Sequence, residues 1–271
     1  MRTIILTDFS SCARNAAEYA IQLLGKDKQF ILLNTFKVDI LGNSGLSYED
    51  LRQHSQDSLK RERDRLCKQF GMYENQFRLE SIEGRVNFLN ERLLDELEAN
   101  LVVMGTEGVS EEEKYIGSTH AGEVVTRLKR NVLVIPSNAR FGRLEKVLLA
   151  TDFQEVNNKV DLDAYLSMVQ GTKTHILYIY PNGETELSEH QAAEKSLLEQ
   201  AMRNEAVIFE ERRNHKIDEE VRKYVRDHQM EMVVVIPKHN NFFDRIFHFS
   251  VTRKLAQTSP VPVLALHGKT E

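Results

Sequence analysis

Short, continuous apolar runs rich in Val, Ile and Leu punctuate the chain, and polar stretches separate them. Within each run apolar residues are consecutive rather than alternating, the pattern of strands buried on both faces. In the first part of the chain the runs are Ile4–Leu6, Phe30–Phe36, Leu101–Met104 and Val132–Ile135. In the second they are Val147–Ala150, Thr174–Tyr180, Met232–Ile236 and Val261–Leu266. The order is the same, and the tripeptide Thr7-Asp8-Phe9 after the first run recurs as Thr151-Asp152-Phe153. One such pair arises easily by chance; four in register indicate a duplication. The polar, turn-rich segment Pro136–Arg143 (PSNARFGR) predicts the boundary, giving domains 1–137 and 144–271.

Between the runs, apolar residues follow the helical period. Ala13, Ala16, Ala17, Ala20 and Leu24 form one such stripe, with Ser10 or Ser11 as its N-cap. Others are Val86, Leu89, Leu93 and Leu97; Ala121, Val124, Val125 and Leu128; Leu162, Tyr165, Leu166 and Val169; and Ile217, Val221, Tyr224 and Val225. The polar segment from about Tyr48 to Phe70 reads as an exposed helix with a single stripe of Leu51, Leu59, Leu66 and Phe70. Strands alternating with helices imply parallel sheets with right-handed crossovers. The fold class is therefore α/β, with two tandem open domains of about five strands each.

Composition narrows the function classes. The 271 residues, 41% hydrophobic and 28% charged, suffice for two cores and exclude a disordered chain. A net charge of -5 argues against a nucleic-acid binder that works through bulk positive field. The two cysteines, Cys12 and Cys67, make neither a disulfide framework nor a zinc motif, and Cys12 among alanines reads as a small buried hydrophobe. No stretch reaches the roughly 18 apolar residues of a membrane helix, and the N-terminal run is too short for a signal peptide. The expected location is the cytoplasm, with no membrane partner.

In open parallel sheets, ligands bind beyond the carboxyl ends of the strands. Those positions in the first half are Thr7-Asp8, Asn34-Thr35, Gly84 and Gly105. Gly105 begins the most informative segment, which runs to Thr119 and leads into a helix. Gly105 and Gly108 permit close backbone approach, Gly117 a tight turn, and Ser118 and Thr119 offer hydroxyl and N–H groups at a helix N-terminus, a favourable place for phosphate. The same residues also suit a plain loop with a capping Ser or Thr. The segment has neither the Lys of a P-loop nor dinucleotide-fingerprint spacing. Candidates for nucleophilic or acid–base catalysis do not converge, so no enzyme is expected. His239, His248 and His267 lack metal-ligand spacing, and no metal is expected. The aromatic cluster Phe242, Phe243, Ile246, Phe247 and Phe249 is expected to pack on the partner domain or fill a cleft.

The segment from Gly105 to Thr119 resembles the nucleotide-binding signature of the universal stress protein family, Gly-x2-Gly-x9-Gly-Ser/Thr. The opening Leu6-Thr7-Asp8-Phe9-Ser10 and the closing Val132-Leu-Val-Ile-Pro136 are similar to that family too, and the likeness extends over both halves. The resemblance implies a tandem protein with five-stranded domains in 3-2-1-4-5 order, whose last strands pair within the chain or in a homodimer. It implies that adenine and ribose lie near Asp8 after the first strand and Thr35 at the end of the second, and that the glycine loop and Ser118 hold the phosphates of ATP, carried with Mg²⁺. The positions so implied are Thr7, Asp8, Thr35, Met104, Gly105, Gly108, Gly117, Ser118, Thr119 and His120. Eight residues separate Gly108 from Gly117 where the signature has nine, and the loop carries Glu111-Glu112-Glu113. In the second half Pro237, Asn240 and Phe249 replace the three glycines, and only Ser118 has a counterpart, Ser250. The expected function is a cytoplasmic stress-response protein that binds an adenine nucleotide in its first domain as sensor or switch. The alternatives are an interaction module with both clefts vacant and a weak ATPase.

Overall fold

The computed structural model describes residues 2–37, 47–86, 89–107, 120–154, 162–180, 186–203, 205–237 and 249–267. The contacts divide the chain into two units, residues 1–107 with 134–141 and residues 108–133 with 142–271.

The first repeat contains strands β1 (Arg2–Leu6), β2 (Gln29–Phe36), β3 (Phe77–Glu83), β4 (Ala99–Thr106) and β5 (Asn131–Pro136), in the order β3-β2-β1-β4-β5. β1 pairs in parallel with β2, Ile4 opposite Ile31, and with β4, Ile4 opposite Val102. Ile4, Ile5, Leu32, Leu101, Val102 and Val103 are fully buried, as continuous apolar runs require. Helix α1 (Ser11–Leu24) lays its alanine face on the sheet, so its backbone packs close; Ser10 caps it by accepting from the Ala13 N–H at 3.2 Å.

Helix α2 (Tyr48–Phe70) starts in a capping box of Ser47 and Asp50 and ends at Gly71 in the left-handed conformation (φ 68°). It matches the expected span, but its buried face is not the expected leucine stripe alone. Ser55, Ser58 and Glu62 are buried beside Leu59 and Leu66. Glu62 is 3% exposed and carries ion pairs to Arg65 (2.7 Å) and Arg14 (3.4 Å), which is how its charge is tolerated there.

The second repeat contains β6 (Lys146–Ala150), β7 (Lys173–Tyr180), β8 (Ala206–Arg213), β9 (Met232–Val235) and β10 (Val263–Ala265), in the matching order β8-β7-β6-β9-β10. β6 pairs in parallel with β7 and with β9. Four further helices are α3 (Glu91–Glu96), α4 (His120–Arg127), α5 (Leu162–Met168) and α6 (Glu189–Ala201). The last two are α7 (Ile217–His228) and α8 (Phe249–Thr258).

Two sequence expectations change. The helix expected from Val86 to Leu97 begins only at Glu91, because the Asn90 side chain accepts from the Leu93 N–H at 3.0 Å and caps it there. Helix α6 and strand β8 have no counterpart among the expected runs, and of β3 only the end before Gly84 is expected. β3 and β8 are the outermost strands, half-exposed, and carry charge (Arg78, Glu80; Glu210, Glu211, Arg212), as edge strands do. Within the second unit, α4 packs against α8: a Cβ on Gly122 would stand 2.7 Å from both the Arg253 Cγ and the Gln257 Nε2. Among the described residues no helix is long and apolar enough to cross a membrane.

Candidate functional site

β1 ends at Leu6, and Thr7-Asp8-Phe9 turns the chain into α1. The Thr7 N–H donates to the Leu33 carbonyl at 2.9 Å, extending the ladder by one rung. The Thr7 hydroxyl accepts from the Phe9 N–H and the Asp8 carboxylate from the Ser10 N–H, both at 3.0 Å. These bonds hold Phe9 at φ 66°, a conformation that costs a bulky residue on the order of 1–3 kcal/mol. The turn leaves the Asp8 side chain exposed at the strand ends, two residues before Ser10, the N-cap of α1.

The second repeat builds the same turn. Thr151 donates to the Leu177 carbonyl at 3.1 Å, its hydroxyl accepts from the Phe153 N–H at 3.0 Å, and Asp152 accepts from the Gln154 N–H at 3.2 Å. Phe153 has φ 52°. The recurring tripeptide thus encodes a recurring strained turn.

What surrounds the turn differs. Asp8 is exposed and Phe9 half-buried, whereas Asp152 is 5% and Phe153 1% exposed. The cause lies one residue beyond the shared Leu33 and Leu177 contacts. There the first repeat has Asn34, whose Nδ2 donates to the Thr7 carbonyl at 2.7 Å; the Ser55 hydroxyl donates to Asn34 Oδ1, and Ser81 to Ser55, both at 2.7 Å. These small side chains form a hydrogen-bonded chain from β2 to α2 and β3, and Asp8 stays exposed. The second repeat has Tyr178, fully buried, stacked on Phe153 at 5.4 Å between centroids and edge-on to Tyr180 at 4.6 Å. Gln191, held in the N-terminal capping box of α6, donates to the Asp152 carbonyl at 3.1 Å and to the Tyr178 hydroxyl at 3.0 Å. Tyr178 and Gln191 thus pack on this turn, where Asp152 is buried.

β4 brings Met104 and Gly105 to the same end of the sheet, since β1 pairs with both β2 and β4 in parallel. Met104 is buried and Thr35 half-buried near the end of β2. Gly105 has a tighter reason to be glycine than ligand approach. A Cβ there would lie 2.6 Å from the Cys12 Sγ and 2.7 Å from the Cys12 carbonyl oxygen, so β4 meets the first turn of α1 backbone to backbone. Burial, then the nearby Glu107 and Asp8 carboxylates, push the Cys12 thiol up to about 11. Cys12 is thus protonated and inert near neutral pH, the buried hydrophobe its sequence context suggests, and two carboxylates flank the strand ends beside it.

Five of the expected site residues, Thr7, Asp8, Thr35, Met104 and Gly105, thus gather at one end of the first sheet. Gly108, Gly117, Ser118 and Thr119 lie outside the described residues; His120 opens α4, and its side chain lies outside them too. Glu111–Glu113, Asn240 and the aromatic cluster at Phe242–Phe247 also lie outside, as does the side chain of Phe249. Pro237 follows β9 and is buried. Sequence reasoning missed the Asn34–Ser55–Ser81 chain and the Gln191–Tyr178 closure. A serine interrupting the Leu51–Leu59 stripe was the one available signal for the former.

Comparison with known proteins agrees with this architecture. The model of the Universal stress protein family matches residues 1–136 and again 145–267. A solved universal stress protein from Archaeoglobus fulgidus superimposes with a TM-score of 0.68 at 15% identity, covering 100% of this chain and 97% of its own. A putative universal stress protein from Pseudomonas aeruginosa gives 0.59 at 11% identity, covering 98% and 92%. A functionally unknown protein from Pseudomonas aeruginosa gives 0.61 at 10% identity, with the same coverage. No protein of curated function matches the chain. Matched twice along its length by one family and built on that family's sheet order in both halves, the chain belongs to the universal stress protein family as a tandem of two domains.

Proposed function

We propose that the first repeat binds an adenine nucleotide, ATP or a close relative, as a sensor or switch without turning it over, and that the second repeat does not. The observation that carries this reading is the contrast at one turn. Asp8 stands exposed over strand ends lined by small polar groups, whereas Asp152 is buried beneath Tyr178, Phe153 and Gln191. Asp8 would accept from ribose hydroxyls, with Thr7, Thr35 and Met104 around the base. Gly105, Gly108, Gly117, Ser118, Thr119 and His120 would attend the phosphates, where main-chain N–H groups at the start of α4 favour an anion. Asp8 and Glu107 give this mouth negative charge, so a triphosphate enters best as its Mg²⁺ complex.

The test is to denature the purified protein, chromatograph what it releases, and then titrate the emptied protein with ATP. The expected result is adenine nucleotide bound by the wild type and by Asp152→Ala, and lost in Asp8→Ala and Ser118→Ala. Absence of uptake at millimolar ATP favours the interaction-module reading. Phosphate release that disappears in Ser118→Ala favours the weak ATPase.

A further inference from the structure

β7 and β8 pair in parallel with His175 opposite Ile208. Residues two apart on a strand share a face, so His175 and Glu210 lie on one face of this pair. Helix α7 covers the pair with Tyr224 and, one turn later, His228, whose rings stack at 4.0 Å and 19°. The Tyr224 hydroxyl donates to Glu210 Oε1 at 2.7 Å and lies 2.8 Å from His175 Nδ1. A phenol has a single proton, and here Glu210 takes it, so Nδ1 must be the protonated nitrogen of His175. The lone pair therefore sits on Nε2. That atom is buried and has no hydrogen-bond partner among the described residues, in a side chain only 7% exposed. A polar atom left so typically costs about 1–3 kcal/mol, and a buried group that keeps such a deficit calls for a ligand to explain it.

We propose that His175, Glu210 and His228 bind a single imidazole-preferring transition-metal dication, zinc or a chemical relative, in the second repeat. One donor atom from each residue lies within 4.8 Å of the others. Zinc bonds of about 2.0–2.2 Å set tetrahedral donors roughly 3.4 Å apart, so capture draws these atoms together by up to about 1.4 Å, shared among three side chains. Tyr224 orients two of the three ligands from behind, the outer-shell role usually filled for metal-bound histidine by a hydrogen-bonding partner. Arg212 pairs with Glu210 and lies 5.9 Å from the Tyr224 ring, and Lys173 adds a second cation nearby. Two imidazoles with a single carboxylate suit ions that bind nitrogen, and not Ca²⁺ or Mg²⁺, which take mostly oxygen ligands.

The site is independent of the nucleotide reading and is tested without it. The tag-free full chain is stripped with a chelator, then titrated with zinc chloride by equilibrium dialysis and with cobalt chloride by visible absorption. The expected result is one zinc per chain and a cobalt d–d band that zinc displaces. Both are lost in His175→Gln and in His228→Gln, and zinc affinity falls about 10–100-fold in Tyr224→Phe. Asp8→Ala leaves them unchanged. His228 is half-buried at the end of its helix, so His228→Gln keeps the test decisive if the His175 variant does not fold. Zinc bound equally by His228→Gln, or no zinc bound by the wild type, overturns the proposal.

Discussion

Two copies of one turn, seven residues into the chain and again at Thr151, show how a shared scaffold acquires different uses. Both hold a phenylalanine in the left-handed region with the same three hydrogen bonds, so the main chain at this point is set by Thr-Asp-Phe and its rung to the neighbouring strand. What the turn presents is set elsewhere, by the residue following Leu33 or Leu177 on the neighbouring strand. Asparagine there bonds to the turn and leaves Asp8 open; tyrosine stacks on the turn and, with Gln191, closes Asp152 in. A buried aromatic contributes several kcal/mol of packing, so the second repeat is stabilised at the place where the first stays available.

The largest effect should come from removing that tyrosine. Tyr178→Ala is expected to destabilise the protein by about 3–5 kcal/mol, against about 1–3 kcal/mol for Asn34→Ala, read from urea unfolding. Equal losses would mean that the two positions are not the source of the contrast. Next, Gly105→Val is expected to cost at least about 1–3 kcal/mol, because its Cβ meets Cys12 main chain rather than a movable side-chain end. The aligned Pro237 already carries a ring, so Pro237→Ala should cost less. For the same reason a bulky substitution at Gly105 is a folding probe and not a test of ligand binding.

A smaller effect follows from Cys12, whose thiol lies at about 11 when folded against an ordinary 9.0. Between those values the unfolded chain has lost the proton that the folded one keeps. Cys12 therefore contributes stability that is present below pH 9.0 and declines as pH rises toward 11. The decline should be shallower in Cys12→Ala, and alkylation of Cys12 should be slow at neutral pH; rapid alkylation there would contradict its burial. The smallest expected effect is at Phe9. Phe9→Asn, which tolerates the left-handed conformation, should shift the thermal midpoint by no more than about 1 kcal/mol equivalent, whereas Phe153→Asn should cost several times that.

Much of this architecture was legible in the residue pattern. Central strands such as Val102-Val103 and Val233-Val234 are wet on neither face and so read as continuous apolar runs. Strand β8 and helix α6 were not legible, and of β3 only the end before Gly84 was, because a half-exposed strand carrying Glu and Arg has no pattern that separates it from a loop. At the candidate site, the positions at strand ends followed from topology. The closing of the second cleft by Tyr178 and Gln191 did not, since it depends on a contact between β7 and α6. The same holds for His175, Glu210 and His228: their meeting depends on the register of β7 against β8 and on where α7 lies, which histidine spacing along the chain does not carry.

Calorimetric titration of ATP into the nucleotide-free chain, run in parallel on Asp8→Ala and Asp152→Ala, distinguishes the open cleft from the closed one. One site per chain should be seen in the wild type and in Asp152→Ala, and none in Asp8→Ala, with all three equally folded by circular dichroism. A site that survives Asp8→Ala and vanishes in Asp152→Ala would reverse the assignment of the open cleft and contradict the account.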